Sequence, residues 1–139
     1  MIVVDSSAVV AILFGEPTAA ALLARLAADP DRVMSVASYV ETGTVLAGRR
    51  LSDRLRAADD LDRFLDEAGI ALAAIDASQA RRALRARIQH GRRMGHGGVL
   101  NFGDAFSYAL AQAREASLLY TGNDFRATDV TAALSPTSG

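Results

Sequence analysis

The chain has 139 residues, half of them hydrophobic and 22% charged, which is the size and composition of one soluble globular domain. It contains no cysteine, which excludes disulfides, cysteine-based zinc sites, iron–sulfur clusters and a thiol nucleophile. The formal net charge is −1, and all 15 basic residues are arginines. Asp5 interrupts the first apolar run and no basic segment precedes it, so we expect no signal peptide and a cytoplasmic protein.

Segments typical of strands and helices alternate along the chain. The first, at residues 2–4, is a β-branched apolar run typical of a buried strand in a parallel sheet. Ser6 or Ser7 is predicted to cap the helix that follows. Further strands are predicted over residues 32–35, 70–75, 117–120 and 130–133. Helices are predicted over residues 8–14, 17–28, 38–50, 53–67, 76–90 and 102–114, with Asn101 capping the last.

This alternation predicts an α/β domain with a mostly parallel central sheet of four to five strands and helices on both faces. We expect the domain to span residues 1–134 and the polar tail 135–139 to be disordered. In such folds the functional cleft lies beyond the carboxyl ends of the strands, where the strand order reverses.

Four acidic residues fall where that cleft is predicted. Asp5 follows the first strand, Glu41 is predicted in the first turn of the helix after the second strand, and Asp104 precedes the fourth strand. Asp124 lies four residues after the predicted end of that strand. Four carboxylates in one cleft would repel one another without a cation, and a hard dication with oxygen ligands, Mg²⁺ or Mn²⁺, fits them.

Each acid also has a purely structural explanation, and both readings stay open at this point. Ser38-x-x-Glu41 has the spacing of a capping box, in which Glu41 would bond the Ser38 amide. Asp104 stands three residues after the capping Asn101 and would complement the helix dipole there. Neighbouring polar residues can either orient carboxylates and metal-bound water or simply close turns; they are Ser6, Ser7, Thr121 and Asn123.

A basic window separates Asp76 from Asp104. It carries six arginines and no acid, so it has a charge of +6 and the remainder of the chain −7. It includes a glycine-rich stretch at residues 91–98, which predicts a loop. The window is either a solvated helix face followed by a polar loop or a surface for phosphates. The candidate phosphate-binding residues are Arg81, Arg82, Arg85, Arg92 and Arg93.

Four segments together resemble a known family. They are IVVDSSA at residues 2–8, SxxE at 38–41, LNFGDAFSYALA at 100–111 and LLYTGNDF at 118–125. In this order and spacing they resemble PIN domains, specifically the VapC-type toxins of toxin–antitoxin pairs. The resemblance covers nearly the whole chain.

The resemblance implies a Mg²⁺- or Mn²⁺-dependent endoribonuclease that hydrolyses RNA phosphodiesters. The catalytic acids it implies are Asp5, Glu41, Asp104 and Asp124. Asp5 and Asp104 would hold the metal directly, and the other two would bind it through water or hold a second ion. In-line attack of a metal-bound water on phosphorus would follow.

The resemblance also implies supporting residues and partners. Ser7 and Thr121 correspond to the small hydroxyl residues of the family, and Asp129 could assist or replace Asp124. The implied partners are the RNA substrate, a second copy of the chain in a homodimer, and a cognate antitoxin whose C-terminal segment blocks the cleft. In such a nuclease the five arginines named above are the candidate RNA-binding residues.

Alternatives from other classes are weaker. A phospho-acceptor receiver domain and a P-loop both require a lysine, which the chain lacks. A haloacid-dehalogenase-like phosphatase needs a second Asp where the chain has Ser7. The alternative that stays open is a catalytically weak RNA- or protein-binding module of the same fold.

Overall fold

The central sheet has four parallel strands in the order β3-β2-β1-β4. The computed structural model describes residues 1–95 and 97–135. The strands are β1 (Ile2–Val4), β2 (Arg32–Ser35), β3 (Ile70–Ala73) and β4 (Ser117–Leu119). Val3 of β1 is in register with Val33 of β2 and Leu118 of β4. The prediction of a parallel α/β sheet is confirmed, although residues 130–133 contribute only a bridge between Ala132 and Leu118 rather than a full strand.

Six helices connect the strands. They are α1 (Ser6–Leu13), α2 (Ala19–Ala27), α3 (Val36–Gly48), α4 (Arg56–Ala68), α5 (Ala77–His90) and α6 (Phe102–Arg114). Asn101 caps α6, as the sequence predicts. The other boundaries lie within three residues of the predicted ones, which is ordinary for helix ends.

Two of the predicted helix starts were wrong, and both concern the cleft. Asp5, not Ser6 or Ser7, caps α1, and its side chain accepts the Ser7 amide hydrogen. Ser35 caps α3, so this helix begins at Val36 and Glu41 lies in its second turn. The capping box predicted for Ser38 and Glu41 therefore does not exist, and capping no longer explains the position of Glu41.

The two faces of the sheet bury separate apolar cores. Ile2 and Val4 pack with α1 to α4, whereas Val3 between them packs with α5 and α6. All three side chains are fully buried. Because successive side chains of a strand point to opposite faces, a short continuous apolar run can serve both layers. Helices on both faces are thereby confirmed.

The strand order reverses between β1 and β4. The chain proceeds from β1 to β2 to β3 on one side and then returns to place β4 on the other side of β1. His96 and the tail 136–139, part of the segment predicted to be disordered, lie outside the described residues. Within the described ranges, no helix is long and apolar enough to cross a bilayer.

Candidate active site

Asp5 occupies the end of β1, at the point where the strand order reverses. Its amide donates to the Leu119 carbonyl of β4 at 2.9 Å, which continues the β1–β4 pairing up to the carboxylate. The side chain is 1% exposed. Oδ2 accepts the Ser7 amide at 3.0 Å, and Oδ1 accepts the Ser107 hydroxyl at 2.5 Å. Asp5 is thus held at the positive end of α1 with donors on both oxygens.

Glu41 reaches the same edge from the second turn of α3. Its Oε1 accepts the Ser6 hydroxyl, and its Oε2 lies against the backbone of Gly103 in α6. The burial of Glu41 raises the pKa of its carboxyl, and the charges of Asp5 and Asp124 raise this pKa further, against the lowering effect of Ser6. Glu41 is therefore in the field of two other carboxylates.

Asp104 lies in the first turn of α6 and forms a complete capping box with Asn101. Its Oδ2 accepts the Asn101 amide at 3.0 Å, and its own amide donates to Asn101 Oδ1 at 2.8 Å. Burial raises its pKa to about 7, against the lowering effect of the Asn101 bond. The charges of Asp5 and Asp124 and a hydrogen bond with Asp124 add to the increase in pKa. Asp104 therefore both caps α6 and lies among the four acids.

Asp124 is carried by the segment that follows β4. Gly122 adopts a left-handed backbone conformation with φ of +84°, which turns the chain there at little cost for a residue without a Cβ. Phe125 is 2% exposed, and its ring packs 4.9 Å from that of Tyr120. The buried Phe125 thereby anchors the segment and leaves Asp124 half-buried at the carboxyl edge.

The four predicted acids therefore meet at one edge of the sheet, with no cationic partner in the described part of the chain. The ion pairs among residues 1–95 and 97–135 join the N-terminus to Asp29 and Arg50 to Asp60, so none involves these acids. Four carboxylates that repel one another in a partly desolvated cleft favour either a proton or a bound cation.

The donor set fits a hard divalent cation. Carboxylate oxygens are the ligands that Mg²⁺ and Mn²⁺ prefer, and Mg²⁺ commonly keeps several waters while binding one or two carboxylates. In the described part of the chain, no three acidic or histidine side chains form a preformed cage for one ion. An ion at this edge would therefore have few direct protein ligands and would keep several of its waters.

The predicted supporting residues differ in their contacts. The Ser7 hydroxyl accepts the Thr121 amide hydrogen at 3.1 Å, so these two residues link the first turn of α1 to the segment that follows β4. Asn123 is exposed, and among the described residues its side chain makes no hydrogen bond to the acids.

Three contributors were missed in the sequence. Ser107 donates to Asp5, and the Ser38 hydroxyl lies 2.9 Å from that of Ser107. Gly103 lies against the Glu41 carboxylate. Ser107 follows Asp104 by three residues on a helix, which puts both on one face, and that spacing was a readable signal. Gly103 and Ser38 gave no comparable signal, because their contacts arise from packing of α6 against α3.

Asp129 lies apart from the acidic edge. It accepts the Tyr108 hydroxyl and lines a cavity of about 350 Å³ with Gln112, Glu115 and Ser117, at the opposite end of α6 and the start of β4. Burial and this bond raise the pKa of Tyr108 to about 12. The charges that act on Glu41 and Asp104 come from Asp5 and Asp124, not from Asp129.

The predicted RNA-binding arginines form two groups. Arg81, Arg82 and Arg85 line a groove of about 410 Å³ with Tyr108 and Gln112, toward the far end of α6 from Asp104. The other group, Arg92 and Arg93, is exposed in the loop that leads into α6.

Arg87 has a structural role in the same region. Its guanidinium donates to the Leu100 carbonyl at 2.5 Å, and the Leu100 amide donates to the His90 carbonyl at 3.0 Å. These bonds close the base of the loop that carries Arg92 and Arg93.

Comparison with known proteins shows the family of the chain. The model of the family described as PIN domain matches residues 2–130. The chain is 44% identical to Ribonuclease VapC42 of Mycobacterium tuberculosis over 128 residues, which cover 92% of this chain and 95% of the relative. It is 46% identical to Ribonuclease VapC of Mycolicibacterium smegmatis over 130 residues, which cover 94% and 98%.

Solved structures share the fold. The crystal structure of Mycobacterium tuberculosis VapC20, described as a Sarcin-Ricin loop cleaving toxin, matches with a TM-score of 0.73 at 21% identity and covers 94% of this chain and 97% of that chain. A toxin–antitoxin complex from Klebsiella pneumoniae matches with a TM-score of 0.67 at 17% identity, covering 93% of each chain. The architecture is that of a PIN domain. The chain belongs to the VapC ribonucleases of the PIN-domain family, as its sequence resemblance predicts.

Proposed function

We propose that this chain is an endoribonuclease toxin that hydrolyses RNA phosphodiesters with a divalent metal, Mg²⁺ or Mn²⁺. The observation that carries the proposal is the meeting of Asp5, Glu41, Asp104 and Asp124 at one edge, where burial and, after it, the charges of neighbouring acids raise the pKa of Glu41 and Asp104. The relatives named as ribonucleases, similar over more than nine-tenths of their length, support the same reaction.

Each acid has a proposed role that follows from its surroundings. Asp5 and Asp104 are the most buried of the four and would hold the ion directly. Glu41 and Asp124 would act through its waters or hold a second ion. When bound, a divalent ion supplies an activated water and neutralises charge that develops on the phosphate. Asp104 must release its proton to bind, and the helix dipole of α6 favours the charged form there.

The two arginine groups are proposed to hold the RNA backbone at two places along the strand. Arg92 and Arg93 lie in the loop just before α6 and would contact phosphates close to the cleaved bond. The groove of Arg81, Arg82 and Arg85 would bind phosphates further along the strand, since it lies toward the other end of α6. Guanidinium groups suit this role because they bind phosphate oxygens in pairs.

A cognate antitoxin and a second copy of the chain are the proposed protein partners. The toxin–antitoxin complex that shares this fold supports the antitoxin. An acidic, cation-binding cleft can be blocked by a peptide that offers a basic side chain in place of the metal. The homodimer rests on the resemblance of the sequence, and light scattering on the purified chain tests it.

Cleavage of total cellular RNA by the purified, antitoxin-free protein tests the proposed activity. Fragments should form with Mg²⁺ or Mn²⁺ and should be absent with EDTA and in Asp104→Asn. The wild-type fragment ends would identify the substrate. If folded protein yields no metal-dependent fragments, the activity is refuted, and the alternative of a catalytically weak binding module takes its place.

A further inference from the structure

A buried chain of hydroxyl groups links helix α3 to the carboxylate of Asp5. The Ser107 hydroxyl donates to Asp5 Oδ1 at 2.5 Å, and the hydroxyl oxygens of Ser38 and Ser107 lie 2.9 Å apart. Ser38 and Ser107 are fully buried, and Asp5 is 1% exposed. The chain of hydroxyl groups therefore lies entirely within the protein, out of contact with bulk water.

The direction of the hydrogen bonds follows from the number of protons. A serine hydroxyl has one hydrogen to donate, and Ser107 uses its hydrogen on the Asp5 carboxylate. Ser38 must therefore donate to Ser107, because Ser107 has no second hydrogen to give. Both O–H dipoles then point toward Asp5, which is the cooperative arrangement for hydrogen bonds in series.

The chain of hydroxyl groups restricts the orientation of the Asp5 carboxylate. Ser107 holds Oδ1, and the Ser7 amide holds Oδ2 at 3.0 Å, so rotation of the carboxylate would break one bond or the other. Each carboxylate oxygen has two lone pairs, so each keeps one acceptor direction for another ligand. Asp5 is thus fixed in one orientation and still free to bind.

Ser107 also connects Asp5 to the helix that carries Asp104. The two residues lie three positions apart on α6, one above the other on the same helix face. A shift of α6 that moved Asp104 would therefore stretch the bond from Ser107 to Asp5. The separation of the two acids proposed as direct ligands is set in part by this bond.

We propose that Ser107, oriented by Ser38, is a positioning residue that fixes Asp5 relative to Asp104 and so sets the affinity of the site for a divalent cation. This inference rests on the proposed function, since it assigns these serines a role toward the metal of that site. Hydrogen-bond partners of metal ligands commonly change metal affinity by about 10- to 100-fold when removed.

A purely structural role for the serines makes a different prediction. In that case the hydroxyls only satisfy one another inside the protein, and cation affinity would follow stability. Ser107→Ala leaves both the Ser38 hydroxyl and Asp5 Oδ1 without this partner, whereas removal of both serines leaves only Asp5 Oδ1 without one and should therefore cost less stability. The double variant Ser38→Ala/Ser107→Ala therefore separates stability from metal affinity.

The test is isothermal titration of the purified, metal-free protein with MnCl₂, together with urea denaturation of each variant without metal. Ser107→Ala and Ser38→Ala/Ser107→Ala should both bind Mn²⁺ at least about 10-fold more weakly than wild type. The double variant should nevertheless unfold at a urea midpoint closer to wild type than Ser107→Ala does. Thr42→Val is the matched control, because it removes a buried hydroxyl of α3 that, among the described residues, bonds only the Ser38 carbonyl, at 2.7 Å.

The outcomes are distinguishable. Thr42→Val should lower stability and leave the Mn²⁺ dissociation constant within about twofold of wild type. If wild type binds Mn²⁺ and both serine variants bind it equally well, or if affinity follows the urea midpoint through all variants including Thr42→Val, the positioning role is refuted and the proposed function stands. Failure of wild type itself to bind Mn²⁺ refutes the proposed function and the positioning role with it.

Discussion

Gly103→Ala offers a sharp test of how tightly Glu41 is placed. A Cβ added at Gly103 would lie 2.7 Å from Glu41 Cδ and closer still to Oε2, so the carboxylate must retreat. Carbon atoms pack best at about 3.5–4.0 Å, which means a displacement of roughly 1 Å. Glu41 is at the far end of a flexible side chain, so it can yield without disrupting the fold.

The variant should lose activity and keep its stability. A misplacement of about 1 Å in a catalytic group can lower the rate by about 100-fold, so we expect RNA cleavage in saturating Mn²⁺ to fall by about 10- to 100-fold. Alanine favours a helix over glycine by up to about 1 kcal/mol, which offsets the strain of moving Glu41. The urea midpoint should therefore stay near that of wild type.

The matched control is Gly43→Ala, another helical glycine. Its added Cβ would lie 3.6 Å from a methyl carbon of Leu61, which is an ordinary contact, so activity should be unchanged. Wild-type activity in Gly103→Ala would refute the reasoning, because it would mean that the position of Glu41 does not matter. A loss of activity in both glycine variants would point to the backbone of the helices instead.

Three further predictions concern the metal, the acids and the arginines. Mn²⁺ at about 100 times its dissociation constant should raise the melting temperature of wild type by roughly 10 °C and should not change the melting temperature of Asp5→Asn. An equal shift in both proteins would exclude Asp5 as a ligand. Without metal, the pKa of Asp104, raised from 3.8 to about 7, means that the folded state keeps a proton that the unfolded state has lost between those pH values. The free energy of unfolding, followed by urea midpoints, should therefore fall on the order of a few kcal/mol as pH rises from 4 to 8. If Asp104→Asn showed the same fall with pH, this explanation would be wrong. Arg92→Ala/Arg93→Ala should reduce the slope of log affinity against log salt concentration for single-stranded RNA by about 1.4. The control Arg63→Ala, on α4, should leave this slope unchanged. An unchanged slope in the double variant would exclude phosphate contacts by this loop.

The local sequence was sufficient for the sheet and for most helices. The apolar runs of β1 and β2, the Asn101 cap and the left-handed Gly69 at the end of α4 are signals read within a few residues. They work because capping, chain reversal and alternation of side chains depend on adjacent residues alone. The start of α3 was misjudged because Ser35 and Ser38 are both acceptable caps, and only the end of β2 at Ser35 decides between them.

The candidate site, too, could be predicted only in part from the sequence. The sequence by itself determined the candidate residues: four acids after strands or near helix starts, and six arginines in one window without an acid. Only the tertiary structure decided that Asp124 rather than Asp129 acts on Asp104, that the arginines form two groups, and that Ser107, Ser38 and Gly103 support the acids. The physical reason is that these contacts join residues from 20 to more than 100 positions apart, and such contacts are set by tertiary packing, including that of α3 and α6, which no local pattern encodes.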